Sequence, residues 1–159
     1  MMNYELRIAE PDDLEIIQDL SVKLSEKEAE EFDPTIDPEW NNTDEAEEYF
    51  QQRINENSGF AFVVEDNQEV VGYAVGGIRD AESYREDLRI AELETMYVEP
   101  DYRREGIGTE FVNEFQRWAE EKDADRMRVE VTSQNEKGIS FYENQGLEDY
   151  ARIMEKDLY

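Results

Sequence analysis

Cysteine and histidine are both missing from this chain of 159 residues. Their absence excludes disulfides, thiol nucleophiles, imidazole bases and every His/Cys zinc site, so no metal centre is expected. Any general acid or base must then be a carboxylate, a tyrosine, a lysine, the substrate itself or water. Positive charge is scarce as well: 16 Lys and Arg stand against 43 Asp and Glu, and lysine occurs only at 23, 27, 122, 137 and 156. With no basic face to neutralise phosphates, nucleic acid is excluded as a partner. No apolar run approaches membrane-spanning length, and Met1-Met2-Asn3-Tyr4 passes directly into an alternating segment. The reading therefore expects no signal peptide, no transit peptide, no membrane anchor and a cytoplasmic location.

The net charge of −27 admits two readings, an acidic surface for a basic partner or a surface built for concentrated salt. Distribution separates them, because Asp and Glu occupy every predicted helix and loop rather than one tail. At molar salt the Debye length is about 3 Å, which screens such self-repulsion heavily. The composition thus predicts a halophilic protein.

The length suits one domain spanning 1–159. Tyr4–Ala9 alternates as a first strand, and Pro11-Asp12-Asp13 opens a helix whose apolar stripe is Leu14, Ile16, Ile17, Leu20 and Leu24. Its polar continuation, Ser25 to Glu31, reads either as helix or as a frayed end. Phe32 to Asn42 reads as a loop, either a connector or a substrate-facing lid, and Thr43 starts a second helix. Gly59–Val64 and Val70–Val75 flank Asp66-Asn67-Gln68 as a hairpin. Arg79 to Arg89 reads as a loop or a short helix, and Ala91–Val98 as a strand. A helix carrying Ile107, Phe111, Val112, Phe115, Trp118 and Ala119 follows, then a strand over Met127–Val131, a short helix over Asn135–Asn144 and a closing strand over Tyr150–Leu158. This irregular interleaving argues a mixed α/β sandwich.

The most informative stretch is Arg103-Arg104-Glu105-Gly106-Ile107-Gly108. It follows a strand and a Pro100-Asp101 turn and opens a helix. A glycine-rich turn at a helix N-terminus directs unpaired N–H groups at one spot, where the helix dipole also favours negative charge. Two arginines flank that spot, and the arrangement suits a pyrophosphate. In the strand before it, Leu93, Met96 and Val98 are apolar, but a step of three breaks the period of two; a β-bulge near Glu94-Thr95 restores the phase.

Leu93-x-x-Met96-x-Val98-x-Pro100-x-x-Arg103-x-x-Gly106-Ile107-Gly108 resembles the acetyl-CoA site of the GNAT family of N-acetyltransferases. Asn135-Glu136-x-Gly138-x-x-Phe141-Tyr142-x-x-x-Gly146-Leu147 resembles the family's second hallmark, with Gly138 where alanine is usual and Leu147 where phenylalanine is commoner. The resemblance covers nearly the whole chain. It implies a mostly antiparallel mixed sheet flanked by helices, with strands splayed at the cofactor site. It also implies acetyl-CoA as co-substrate and a small-molecule or protein amine as acceptor, and a homodimer, since members are often dimers.

On that resemblance the CoA pyrophosphate meets the N–H groups of Arg104, Glu105, Gly106, Ile107, Gly108 and Thr109, with the Arg103 and Arg104 side chains nearby. The arginines also admit a plainer reading as surface charge balance. The pantetheine arm pairs along Met96, Tyr97 and Val98, and the Met96 N–H serves as oxyanion donor. Asn135 contacts the cofactor. Tyr142 falls at the general-acid position, though an aromatic there also reads as a core residue behind Phe141. Glu94 is the first candidate base and Glu92 the second, each acting through water or as a charge anchor for a cationic amine. The expected activity is acetyl transfer to a primary amine by direct attack; the alternative is a non-catalytic acyl-CoA sensor on the same fold.

Overall fold

The computed structural model describes residues 3–159. Five strands form one sheet in chain order: β1 (Tyr4–Ile8), β2 (Gly59–Asp66), β3 (Glu69–Asp80), β4 (Arg89–Val98) and β5 (Arg126–Val129). The first three pairings are antiparallel and β4–β5 is parallel. Helices α1 (Leu14–Glu31) and α2 (Asp44–Asn55) cover one face, while α3 (Ile107–Glu121) covers the other and α4 (Glu136–Asn144) packs beside it. Among the described residues no helix is long and apolar enough to cross a membrane.

Covering both faces explains why the central strands read as nearly continuous apolar runs. Val63, Tyr73, Val75 and Tyr97 pack with Ile17, Leu20 and Phe50 of the first helical pair. Phe60, Ala74, Ala91 and Leu93 pack with Phe111, Val112 and Phe115 of α3. The acidic residues of α1 and α2 lie mostly on their outer faces, so the net charge leaves the core apolar.

The register shows the bulge. Val75 pairs with Thr95 but the next residue, Gly76, pairs with Leu93, leaving Glu94 as the extra residue of β4. Gly76 is needed there for space. A Cβ at this position would fall inside van der Waals contact with the Glu92 carbonyl oxygen and within 2.8 Å of Phe115 Cε1. Neither the strand backbone nor a buried ring can give way cheaply. Gly76→Ala is expected to cost about 3 kcal/mol, read as a lower midpoint in urea unfolding.

Several boundaries differ from those read in the sequence. The polar end of α1 stays helical through Glu31. Arg79 and Asp80 close β3, and Arg89 opens β4, so only the residues between them form the loop. The expected strand over Met127–Val131 is β5, which stops at Val129. The closing strand expected over Tyr150–Leu158 is not formed: that segment pairs with no other among the described residues, and Ile153, Met154 and Leu158 are exposed. Alternation makes a strand only where an edge is available to pair with, and β5 offers just four residues. The segment's start is held by stacking instead, with the guanidinium groups of Arg85, Arg126 and Arg128 ranged about the Tyr150 ring.

Candidate active site

The Pro100–Tyr102 turn delivers the chain from β4 into the glycine-rich segment. Arg104 and Gly106 both take left-handed backbone angles, with φ of +67° and +85°. Gly106 is the N-cap of α3 and supplies no side-chain cap. The N–H groups from Arg104 through Thr109 meet no acceptor among the described residues; the first inward bond of the helix runs from Glu110 N–H to the Gly106 carbonyl. A Cβ on Gly106 would meet nothing within 4 Å, so the turn is uncovered at that residue. A Cβ on Gly108 would instead lie 3.3 Å from the Phe141 ring and 3.8 Å from Met96 Cε. The small residue thus lets the turn, β4 and α4 meet. Tyr4 Oη donates to the Glu105 carbonyl at 3.1 Å and Gln145 Nε2 to Thr109 Oγ1 at 3.3 Å, which steadies the turn from both sides.

The β4–β5 ladder ends at Leu93–Val129, while β4 continues to Val98 paired only with β3. The β5-facing backbone edge of β4 beyond the bulge therefore opens into the wedge between the two strands. Met96 and Val98 pack toward α3, and Tyr97 is buried on the opposite face under α1 and α2.

Four of the residues singled out in the sequence are engaged elsewhere. Arg103 folds back, donating from Nε to the Val98 carbonyl at 2.8 Å and stacking over Tyr97; Arg104 is exposed. Asn135 caps α4, its Oδ1 accepting the Gly138 N–H at 2.9 Å. That contact explains the glycine at 138, where a Cβ would sit 2.6 Å from Asn135 Nδ2. Glu94 accepts two bonds from Arg53 of α2, at 2.6 and 3.0 Å, and Glu92 accepts from Arg79 at 2.7 Å. Arg53 also stacks on Tyr49, whose hydroxyl burial and the Glu94 charge push above the ordinary phenol range.

Tyr142 sits edge-on to Phe141 at 5.0 Å and packs against the α3-side core. Burial chiefly, then the charge of Glu28, pushes its hydroxyl up to about 12. It therefore holds its proton across the neutral range, as a proton donor must. Glu28 went unnoticed in the sequence because it lies in the polar tail of α1. The signal was its spacing, since Ile17, Leu20, Ser21, Leu24 and Glu28 follow one helical face. The Phe32–Asn42 segment is sewn to that helix by Gln18 Nε2 donating to the Asn41 carbonyl and Asn41 Nδ2 donating to Ser25 Oγ.

The chain matches the profile of the acetyltransferase (GNAT) family over residues 23–147. An uncharacterized N-acetyltransferase of Methanocaldococcus jannaschii is 28% identical over 101 residues, covering 64% of this chain and 44% of that protein. The chain thus spans less than half the length of that relative. Among solved structures, a mutant of the BH1408 protein from Bacillus halodurans superimposes with a TM-score of 0.85 at 17% identity, covering 98% of this chain and 99% of the other. The aminoglycoside N-acetyltransferase AAC(6')-Iy, bound to a bisubstrate analogue, gives 0.72 at 17%, covering 99% of each chain. A predicted acetyltransferase from Clostridium acetobutylicum, with acetyl-CoA, gives 0.75 at 21%, covering 99% and 97%. At such identities these structures establish the fold. Together with the family match over most of its length, they fix the identity: the chain belongs to the acetyltransferase (GNAT) family.

Proposed function

We propose that the protein transfers the acetyl group of acetyl-CoA to a primary amine, on a small molecule or a protein, by direct attack on the thioester. The observation that carries this reading is the run of N–H groups from Arg104 through Thr109, unpaired among the described residues, beside the open edge of β4. Such donors suit a pyrophosphate, and in a chain of net charge −27 a polyanion needs local donors that the global field does not cancel. Arg104 adds charge from the rim. Arg103 acts by holding the end of β4 in place, its bond to the Val98 carbonyl keeping strand and turn in register. Met96, Tyr97 and Val98 then present backbone to the pantetheine arm, with the Met96 N–H stabilising charge on the thioester oxygen. Asn135 supports the site through the cap of α4. Tyr142 protonates the departing thiolate. Glu94 and Glu92, with their arginines, line the acceptor side as charge anchors.

Dispersed acidity supports a cytoplasm rich in salt as the working medium, and the exposed apolar residues of the C-terminal segment support a homodimer. The experiment is a screen of amines and N-terminal peptides at molar salt, read by acetyl-CoA-dependent thiol release. No cysteine of the protein contributes to that signal. At a hundredfold excess over Kd, acetyl-CoA is expected to stabilise the fold by about 2.7 kcal/mol. Thiol release with an amine supports the enzyme; stabilisation without release for any amine favours the acyl-CoA sensor.

A further inference from the structure

The bulge of β4 is held from outside the sheet. Its extra residue, Glu94, is met by Arg53 in the last turn of α2, with Nε donating to Oε1 at 2.6 Å and Nη2 to Oε2 at 3.0 Å. This forked pairing engages both carboxylate oxygens and fixes the two side chains in one mutual orientation. Neither is free to wander, since they are only 22% and 24% exposed. The guanidinium is also held from its face. Its carbon lies 4.4 Å from the centre of the Tyr49 ring, and Tyr49 is braced edge-on by Phe50 and Trp40. A partly buried pair is screened far less than a surface one, so the contact survives in concentrated salt.

The sequence clears a path for this side chain. Gly59 and Gly77 are partners across β2 and β3, and the end of α2 lies against both. A Cβ on Gly59 would come within 2.6 Å of the Arg53 carbonyl oxygen, so the helix end settles on the sheet only over a glycine. A Cβ on Gly77 would stand 3.4 Å from Arg53 Nε and 3.7 Å from Cδ, and a longer side chain there would meet the Arg53 stem. Neither glycine has a positive φ. Space is the reason for them.

The geometry points to Arg53 as a positioning residue for acetyl transfer: through Glu94 it fixes the bulge, and through the bulge it aims the Met96 N–H. This assignment rests on the acetyl-transfer reading. The β4–β5 ladder ends at Leu93, so from Glu94 onward β4 is paired on the β3 side alone. A bulge leaves its extra residue outside the ladder, and a one-residue slip turns every following side chain to the opposite face. Loss of the bulge would carry Met96 to the face covered by α1 and α2 and re-aim its N–H. Arg53 closes on the first residue past the last β4–β5 pair, where the ladder to β5 no longer resists that slip. With both of its oxygens engaged, Glu94 serves as the other half of the clamp rather than as a base.

The test uses whichever of 1,4-diaminobutane, lysine methyl ester, neamine and an alanyl peptide the wild type turns over best, well below each variant's melting temperature. Arg53→Lys keeps the charge without the fork, and Glu94→Gln keeps the shape without the charge. Each is expected to lower kcat by about tenfold while the Kd of acetyl-CoA, set mainly at Arg104 through Thr109, stays within about threefold. The double variant is expected to lose no more than about twentyfold, because one clamp is broken only once. Glu94→Gln is expected to keep the acid limb of the pH–rate profile. In the ¹⁵N spectrum of Arg53→Lys the amides of Thr95 and Met96 are expected to shift while those of Gly106 to Gly108 hold, a pattern that a general loss of stability does not produce. Single variants within about twofold of wild type, or a double variant near the hundredfold product of the two, overturn the assignment alone. A loss above about a hundredfold in Glu94→Gln, with the acid limb abolished, overturns it by making Glu94 the base. A wild type that binds acetyl-CoA yet acetylates none of the amines overturns the acetyl-transfer reading, and the assignment with it.

Discussion

Tyr142→Phe is expected to lower kcat by about 10²- to 10⁴-fold, the usual range for loss of a positioned proton donor. The ring contributes to packing through its edge contact with Phe141, and phenylalanine keeps that contact. Only the hydroxyl is lost. The Kd of acetyl-CoA is therefore expected to stay within about twofold, and KM for the amine to change little. The pH profile sharpens the case. With its hydroxyl pushed up to about 12, wild-type Tyr142 keeps its proton throughout the neutral range, and no loss of rate from its ionisation is expected there. If steady-state kinetics of Tyr142→Phe match wild type, the residue is a core aromatic and the thiolate is protonated by water.

Gly106→Val separates the cofactor site from the fold. With φ at +85°, a β-branched residue at 106 is strained whatever the space around it, and the turn must reshape. A Cβ there meets nothing, so the cost to the fold is confined to backbone strain of about 1–2 kcal/mol. The cost to binding is larger. Hydrogen bonds to a charged acceptor contribute about 1.5–3 kcal/mol each, and mis-aiming one or two weakens CoA by on the order of 10²-fold. Calorimetric titration with acetyl-CoA, alongside a thermal melt, reads both numbers. A variant that melts near wild type and still binds acetyl-CoA equally well would show that the pyrophosphate lies elsewhere.

What the sequence made legible is what local chemistry controls. The broken period at Leu93, Met96 and Val98 announced the bulge at Glu94, because strand alternation is strict enough that one misplaced residue is visible. The glycine turn was legible because a positive φ and a helix start leave a signature of their own. The partners of polar side chains were not. Arg103 reaching back to Val98, Asn135 closing a cap on Gly138, and Arg53 of α2 taking Glu94 all depend on how elements meet in space. Glu28 was overlooked for a related reason. A glutamate in a run such as Ser25-Glu26-Lys27-Glu28 looks solvated until the helix is known to continue and to turn that position inward. The closing strand failed in the opposite direction: its alternation was real, but a strand also needs an edge, and no edge among the described residues receives it.

The central claim is that the open donors after β4 hold the cofactor, and backbone amide resonances report on it directly. Titrating acetyl-CoA into the ¹⁵N-labelled protein at molar salt is expected to shift the amides of Arg104 through Thr109 most, with Met96 to Val98 next. Saturation should follow a single binding isotherm. Shifts concentrated away from both segments, or no shifts at millimolar acetyl-CoA, would contradict the account.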